Sequence, residues 1–127
     1  MRMIKAILID PFEKTVSEVQ LDGDDYRAIY PLISRPEDQV DTFTSGLAML
    51  DGDMVLVDDE GLINWWERGQ AFFEIIGGHQ PLAGKGLVMG SNTQGESTSV
   101  RVTLGQMQEL VRWVDEADVL KWIGSGS

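Results

Sequence analysis

The chain contains no cysteine and a single histidine, His79. Without cysteine there are no disulfide bonds, no thiolate metal ligands and no thiolate nucleophile. No apolar run approaches the roughly 18 residues of a membrane span. The apolar start at residues 3–9 is broken at Asp10-Pro11, which is too early for a signal peptide. The sequence therefore predicts a soluble, cytoplasmic protein.

Basic residues are missing from the middle of the chain. From Glu37 to Glu67 there are nine carboxylates and no Lys or Arg, and residues 1–64 carry −9 of the net charge of −11. Such a field repels nucleic acid, anionic membranes and phosphorylated substrates, and it favours partners with a basic surface. We therefore predict a basic protein partner, with no direct nucleic-acid binding and no membrane binding. A purely solubilising surface would explain the same composition.

The length of 127 residues and a hydrophobic content of 43% fit one domain with a single core. We predict an α+β fold over residues 1–123, with a mixed, mostly antiparallel sheet. The terminal Gly124-Ser125-Gly126-Ser127 is typical of an added linker. Alternation and turn residues predict strands at residues 3–9, 15–21, 40–49, 54–57, 71–76, 87–89 and 98–102. The first two should form a hairpin.

Two helices are predicted. A short one in the N-terminal half follows a cap at Asp22 and is ended early by Pro31. An amphipathic one near the C-terminus starts with Thr103 and Gln106 as a capping box. Its apolar face is expected to consist of Leu104, Met107, Leu110, Val111, Val114 and Ala117.

The acidic turns are the first candidate binding site. Asp51, Asp53, Asp58, Asp59 and Glu60 flank one short strand. In extended chain, alternate residues lie about 6.6–6.8 Å apart, close to the spacing of phosphates along a nucleic-acid strand. The same carboxylates could hold a hard cation, but they lack the spacing of a calcium loop, so we predict no metal site.

The pair Trp65-Trp66 adjoins this acidic block. Adjacent side chains on extended chain point in opposite directions, so one indole can pack in the core while the other stays exposed. An exposed Trp is a common anchor of protein interfaces. We predict that at least one of the two indoles is exposed. Two tryptophans covering opposite sides of a loop are the structural alternative.

A glycine-rich segment offers a second binding hypothesis. Gly84, Lys85 and Gly86, with Ser91 and Asn92, could wrap a nucleotide-like ligand. The segment fails the phosphate-loop pattern twice. Five residues separate Gly78 from Gly84 where the pattern has four, and Gly86 follows Lys85 where the pattern has Ser or Thr. Tight turns beside a core strand explain these glycines equally well.

Catalysis has little support in the sequence. His79 has no assured partner as a general base, and no serine lies in a nucleophile elbow. We predict no catalytic residues and no cofactor. A metal-dependent enzyme using the Asp51–Glu60 carboxylates is the least favoured alternative.

Several strings in the sequence carry a family resemblance. They are ILIDPF, DYRAIYPLI, VDTF, VDDEGLIN, FFEI and QPLAGKGLVMGSNTQGES, which lie within residues 7–97, and the resemblance that they carry covers nearly the whole of residues 3–114. The chain resembles a family of small proteins, encoded mainly by phages, prophages and plasmids, that is catalogued as a domain of unknown function. The string PLAGKGLVMG is the most specific, and residues 65–68 depart from the family pattern. The resemblance implies an accessory protein of a mobile element in a bacterial host cell, and it assigns no site residues.

The sequence thus favours a non-catalytic protein that binds a host or phage protein through an acidic surface. Inhibition of a host defence system and mimicry of nucleic acid are both compatible with this function. The predicted partner-binding residues are Asp51, Asp53, Asp58, Asp59, Glu60, Trp65 and Trp66. The sequence leaves the oligomeric state open, and a homodimer is compatible with it.

Overall fold

Two antiparallel sheets build the protein, in a computed structural model that describes residues 1–49, 51–78 and 80–124. The larger sheet contains β1 (Met3–Asp10), β2 (Thr15–Asp22), β3 (Phe43–Ala48), β4 (Asp53–Asp58), β7 (Gly86–Ser91) and β8 (Ser97–Thr98). Its order is β2-β1-β7-β4-β3, and β8 pairs with the end of β7. The smaller sheet contains β5 (Phe72–Ile75), β6 (Leu82–Ala83) and β9 (Val111–Val114), in the order β6-β5-β9.

The described helices are short. A 3-10 turn at Tyr26–Ala28 leads into α1 (Ile29–Ile33), and α2 (Leu104–Leu110) and α3 (Glu116–Gly124) lie near the C-terminus. The predicted α+β class with antiparallel sheets is confirmed. Helix α3 includes Gly124, one residue beyond the predicted end of the domain, and Ser125–Ser127 lie outside the described residues.

The predicted N-terminal hairpin is confirmed. Strands β1 and β2 pair from Met3 with Asp22 to Asp10 with Thr15. The Asp10 carboxylate accepts hydrogen bonds from the backbone N–H groups of Phe12 and Glu13, which fixes the turn locally. The cap of the following turn is Asp25 rather than the predicted Asp22, because Asp22 still belongs to β2 and the Asp25 carboxylate accepts from the Arg27 N–H.

The inner strands β1, β7 and β4 of the larger sheet are covered on both faces, which explains their nearly continuous apolar sequences. One face packs against the smaller sheet and α2 around Phe73 and Met107, and the other packs under α1 around Ile29 and Ile33. Gly86 in β7 allows the close approach between the sheets. A Cβ atom at this position would lie 2.6 Å from the Phe73 ring.

The predicted C-terminal helix is confirmed at its start, but its predicted continuation beyond Leu110 is wrong. Helix α2 begins at the predicted Thr103–Gln106 capping box but ends at Leu110, and residues 111–114 form β9 instead. Strand β9 pairs along its whole length with β5. The backbone groups of residues 111–114 thereby also satisfy the edge of β5, which they could not do as part of a helix. The β-branched and aromatic residues Val111, Trp113 and Val114 suit a strand, and tertiary pairing therefore overrides the helical spacing.

Two strand predictions are too long. The strand predicted over residues 40–49 begins only at Phe43, and it contains an irregularity between Ser45 and Leu47. The strand predicted over residues 98–102 is reduced to β8. Residues 99 and 100 instead hydrogen-bond to the backbone of Lys5, and the Asp53 carboxylate accepts from the N–H groups of Arg101 and Val102.

Candidate functional site

The loop between β4 and β5, residues 59–71, carries the tryptophan pair and is called here the Trp loop. It is a succession of turns, with backbone hydrogen bonds such as Ile63 N–H to Glu60 O at 3.0 Å and Gln70 N–H to Trp65 O at 3.1 Å. Asn64 takes a left-handed conformation with φ of 49°, which asparagine tolerates better than most residues. Residues 64–70, for which the sequence is compatible with an irregular loop or a short helix, therefore form an irregular loop of turns.

Arg68 fixes the Trp loop to the rest of the protein. Its guanidinium donates to Asp38 at 2.8 and 3.2 Å and to Asp58 at 2.7 Å. It also donates to the backbone carbonyls of Glu60 at 2.7 Å and Ile63 at 3.3 Å. The pKa of Arg68 is raised, chiefly by the hydrogen bond to Asp38 and further by that to Asp58. The loop conformation is thus set by a charged group that stays protonated throughout the physiological range.

Arg35 extends this network on its other side. Its guanidinium donates to the Arg68 carbonyl at 2.9 Å and to Asp38 at 3.3 Å, and it stacks 3.9 Å from the centre of the Phe12 ring. The acidic block without a countercharge in sequence therefore has countercharges in the fold. Arg35 and Arg68 lie just outside the block in sequence and bind its part-buried members Asp38 and Asp58.

The two tryptophans of the Trp loop have opposite environments. Trp65 is 8% exposed and lies against Phe72, with ring centroids 5.5 Å apart, in a cluster with Ala83 and Val119. Trp66 is 61% exposed and touches the edge of Trp65, with centroids 5.7 Å apart. The predicted exposure of one indole is confirmed for Trp66. Trp65 is core, so its predicted contact with a partner is wrong.

Further apolar and acidic side chains surround Trp66 in sequence. Leu62 and Ile63 in the same loop are exposed, as are Asp59, Glu60 and Glu67. Helix α3 packs through Val119 into the Trp65 cluster and leaves Leu120 and Ile123 exposed. A fixed loop with several exposed apolar side chains between carboxylates has the composition of a protein-binding surface.

Asp53, a predicted partner-binding residue, is in fact buried. It is 1% exposed, and its carboxylate accepts from the backbone N–H groups of Arg101 at 3.0 Å and Val102 at 2.9 Å. The Arg101 guanidinium lies 3.6 Å away. Burial and this set of donors make Asp53 an internal anchor of residues 101–102, so it cannot contact a partner.

Asp58 is also removed from the predicted surface. Its side chain is 9% exposed and is bound to Arg68. Asp53 and Asp58 begin and end β4, and five residue steps along a strand cover about 17 Å. Asp51 therefore lies at the opposite end of β4 from Asp59 and Glu60, and the predicted row of phosphate-like carboxylates is not formed.

The carboxylates of residues 51–60 do not converge on a cation either. Within residues 1–49, 51–78 and 80–124, no group of three or more potential metal-binding side chains has a suitable geometry. His79, for which the sequence offers no assured partner, lies outside the described residues. Glu74 forms a cross-strand ion pair with Arg112 at 3.3 Å.

The glycine-rich segment does not form one ligand loop. Gly84, Lys85 and Gly86 lie at the start of β7, and Ser91 and Asn92 lie at its end. Lys85 faces Asp10, with Nζ and the carboxylate 3.8 Å apart. The Asn92 side chain closes its own turn by accepting from the N–H groups of Gln94 and Glu96. The segment is used for packing and turns, as the structural alternative predicts.

Sequence reasoning missed Arg68, Leu62 and Ile63 as parts of the site. Arg68 is the first cation after the acidic block, and that position is the only sequence signal for its role as countercharge. Leu62 and Ile63 follow a strand and a glycine turn, a pattern typical of another strand. Their exposure becomes visible only because the Trp loop turns away from the sheet.

Comparison with protein-family models, with curated proteins and with solved structures finds no match to this chain. The described helices are all too short or too polar to cross a membrane.

Proposed function

We propose that this protein is a non-catalytic binding protein that docks through the Trp loop onto a basic surface of another protein. The observation that carries the proposal is Trp66, 61% exposed on a loop that Arg68 fixes in place. Large side chains held rigidly lose little conformational entropy on binding, and Trp is enriched among the residues that dominate interface energies.

The charge around Trp66 supports the choice of partner. Asp59, Glu60 and Glu67 are exposed in the same loop, and no cation in the described structure is ion-paired with any of them. Such rim charges mainly steer encounter and select the partner, while the apolar anchor supplies most of the affinity. A basic surface with a pocket for one indole is therefore the complementary partner.

The resemblance to proteins of mobile elements supports a partner in a bacterial cell, encoded by the host or by a phage. A component of host defence that normally holds nucleic acid has the required basic surface. Binding would then block that surface. The protein would block that surface through an apolar anchor surrounded by carboxylates. It would not mimic the regular spacing of phosphates, since residues 51–60 do not form a row of exposed carboxylates.

The test is affinity capture of partners from host lysate by the tagged full-length chain, followed by measurement of dissociation constants with the purified partner. Trp66→Ala should weaken binding by about 30-fold, equivalent to about 2 kcal/mol, and leave the unfolding midpoint unchanged. Tyr26→Ala is the matched control, because Tyr26 is 64% exposed on a different element. Equal binding by both variants and the unaltered chain would contradict the proposal.

A second pair of variants separates the role of charge. Asp59→Asn with Glu60→Gln should slow association and reduce its salt dependence, with a smaller effect on dissociation. Neutralising Asp58 instead would disturb the Arg68 network, so Asp58 is unsuitable for this purpose. An unchanged association rate at low salt would remove the acidic side chains from the proposed surface.

A further inference from the structure

A second surface lies away from the Trp loop, in a groove where the two sheets and α2 meet. Its volume is about 770 Å³, within the range of ligand and peptide sites. The walls come from the end of β3, the turn after β5 and the exposed side of α2. The apolar wall residues are Leu47, Ala48, Met49, Ile75, Ile76, Val102 and Leu110.

The walls of this groove are held in place by polar contacts. The Ile76 N–H donates to the Leu110 carbonyl at 2.9 Å, which ties the turn after β5 to α2. The buried Asp53 carboxylate accepts from the Val102 N–H and so fixes the segment that leads into α2, which also lines the groove. The groove is thus present in the free protein, and its occupant need not order it.

The apolar surface of the groove is accessible. Ile76 is 54% exposed, and Leu47, Met49 and Leu110 are only partly buried against the main core. A methionine in the wall can adapt its shape to different apolar side chains. The free energy of binding is favourable when an apolar group of a ligand displaces water from such an apolar surface.

The rim of the groove is acidic. Asp51 and Glu109 line its mouth, and the described lining residues include no Lys, Arg or His. The nearest cation in sequence, Arg101, is already bound to Asp53 at 3.6 Å and to the Ser91 carbonyl at 2.7 Å. An occupant with an apolar side chain and a neighbouring positive charge complements this arrangement.

The position of β3 favours a polypeptide as the occupant. Strand β3 is the outermost strand of its sheet, so one edge of its backbone has no strand partner in the described structure. The irregularity between Ser45 and Leu47 limits regular pairing to a short stretch beside the groove. A short extended segment could pair there and place one side chain between Leu47 and Ile76.

We infer that this groove binds a short extended segment of a partner protein, with an apolar side chain seated between β3 and α2 and a Lys or Arg beside it at Asp51 and Glu109. The inference is independent of the proposed function of the Trp loop, since the two surfaces share no residue. It assigns the protein a second binding site with a different specificity.

The experiment is selection of a displayed library of random linear dodecapeptides on the immobilised full-length chain, followed by affinity measurement with the enriched peptides. Those peptides should combine apolar residues with Lys or Arg. Ala48→Arg places bulk and positive charge at the mouth, and Ile76→Asp places a charge in the wall. Both positions are exposed, so folding should be retained, and each variant should weaken binding at least tenfold.

Two further variants give specificity. Asp51→Asn with Glu109→Gln should weaken binding about threefold to tenfold and remove most of its salt dependence. Trp66→Ala should bind the same peptides as tightly as the unaltered chain. The methyl signal of Met49, observed by NMR in the unaltered chain, should shift when peptide is added, which locates the site without any substitution.

Several outcomes would overturn the inference. The first is that the selection enriches no peptides on the unaltered chain relative to the Ala48→Arg chain. The others are that the enriched peptides lack basic residues and that the Met49 methyl signal does not shift when peptide is added. Loss of peptide binding in Trp66→Ala would assign the peptides to the Trp loop. Self-association that Ala48→Arg abolishes would make the occupant a second copy of this chain.

Discussion

The Arg68 network gives the sharpest test of the structure, through the substitution Arg68→Ala. The change leaves Asp58, whose side chain is 9% exposed in the unaltered chain, without a cation, whereas Asp38 keeps Arg35 at 3.3 Å. The Ile63 carbonyl also loses the Arg68 donor, whereas the Glu60 carbonyl keeps the Ile63 N–H at 3.0 Å. The cost should therefore arise mainly from one unpaired, nearly buried carboxylate.

The magnitude follows from comparable ion pairs. Breaking a fully buried pair by removing one partner costs about 3–5 kcal/mol. The Arg68 side chain is 21% exposed, so water can partly replace it, and we expect a loss of about 2–3 kcal/mol. With a urea slope of about 2 kcal/mol/M, the unfolding midpoint should fall by about 1–1.5 M.

Urea unfolding followed by Trp fluorescence measures this loss. In the Arg68→Ala chain, Asp58→Asn should recover part of the stability, with a coupling energy of about 1–2 kcal/mol, because it removes the unpaired charge. Arg27→Ala is the matched control, since Arg27 forms an exposed ion pair with Asp25, and its midpoint should fall far less than that of Arg68→Ala. A loss below about 1 kcal/mol for Arg68→Ala, or no recovery by Asp58→Asn, would refute the reasoning.

Three further predictions concern single positions. Asp53→Asn should destabilise the fold by about 2–3 kcal/mol in urea unfolding, because an amide NH₂ would face backbone N–H donors. The exposed control Asp51→Asn should change the stability by less than about 0.5 kcal/mol. Gly105→Ala should stabilise α2 by about 0.5–1 kcal/mol in the same assay, since its Cβ would meet no atom within 4 Å, and a loss of stability would contradict the described helix. The pKa of Asp25 is lowered first by the hydrogen bond from the Arg27 side chain and then by the hydrogen bond from the Arg27 backbone N–H. The stabilisation by the charged Asp25 carboxylate is therefore present above pH 3.8, the ordinary pKa, and is lost as the pH falls through the lowered pKa. NMR titration of the Asp25 carboxyl should show this lowered midpoint, and Arg27→Ala should move it back towards 3.8.

Features that depend on neighbouring residues could be predicted from the sequence. Alternating apolar residues and the Asp10-Pro11 turn specify the hairpin of β1 and β2, and the capping box at Thr103 and Gln106 specifies the start of α2. These are short-range effects of backbone geometry and local hydrogen bonding, which hold in many tertiary contexts. The antiparallel α+β class follows from several such segments together.

The candidate site depended on contacts between distant segments, so much of it could not be predicted. Sequence adjacency indicated that Trp65 and Trp66 differ, but only the packing of Val119 and Phe72 decides that Trp66 is the exposed one. The β-sheet edge that β5 presents likewise decides that residues 111–114 leave the helix.

The charged residues show most clearly which properties follow from the sequence and which require the fold. The sequence by itself determined that the protein is acidic, and that its excess of carboxylates lies in the first half of the chain. Only the tertiary structure decided which carboxylates are internal, because Arg68 reaches Asp38 across thirty residues and the backbone of residues 101–102 reaches Asp53. Burial of a carboxylate requires donors that fold around it, and their position is a property of the whole fold.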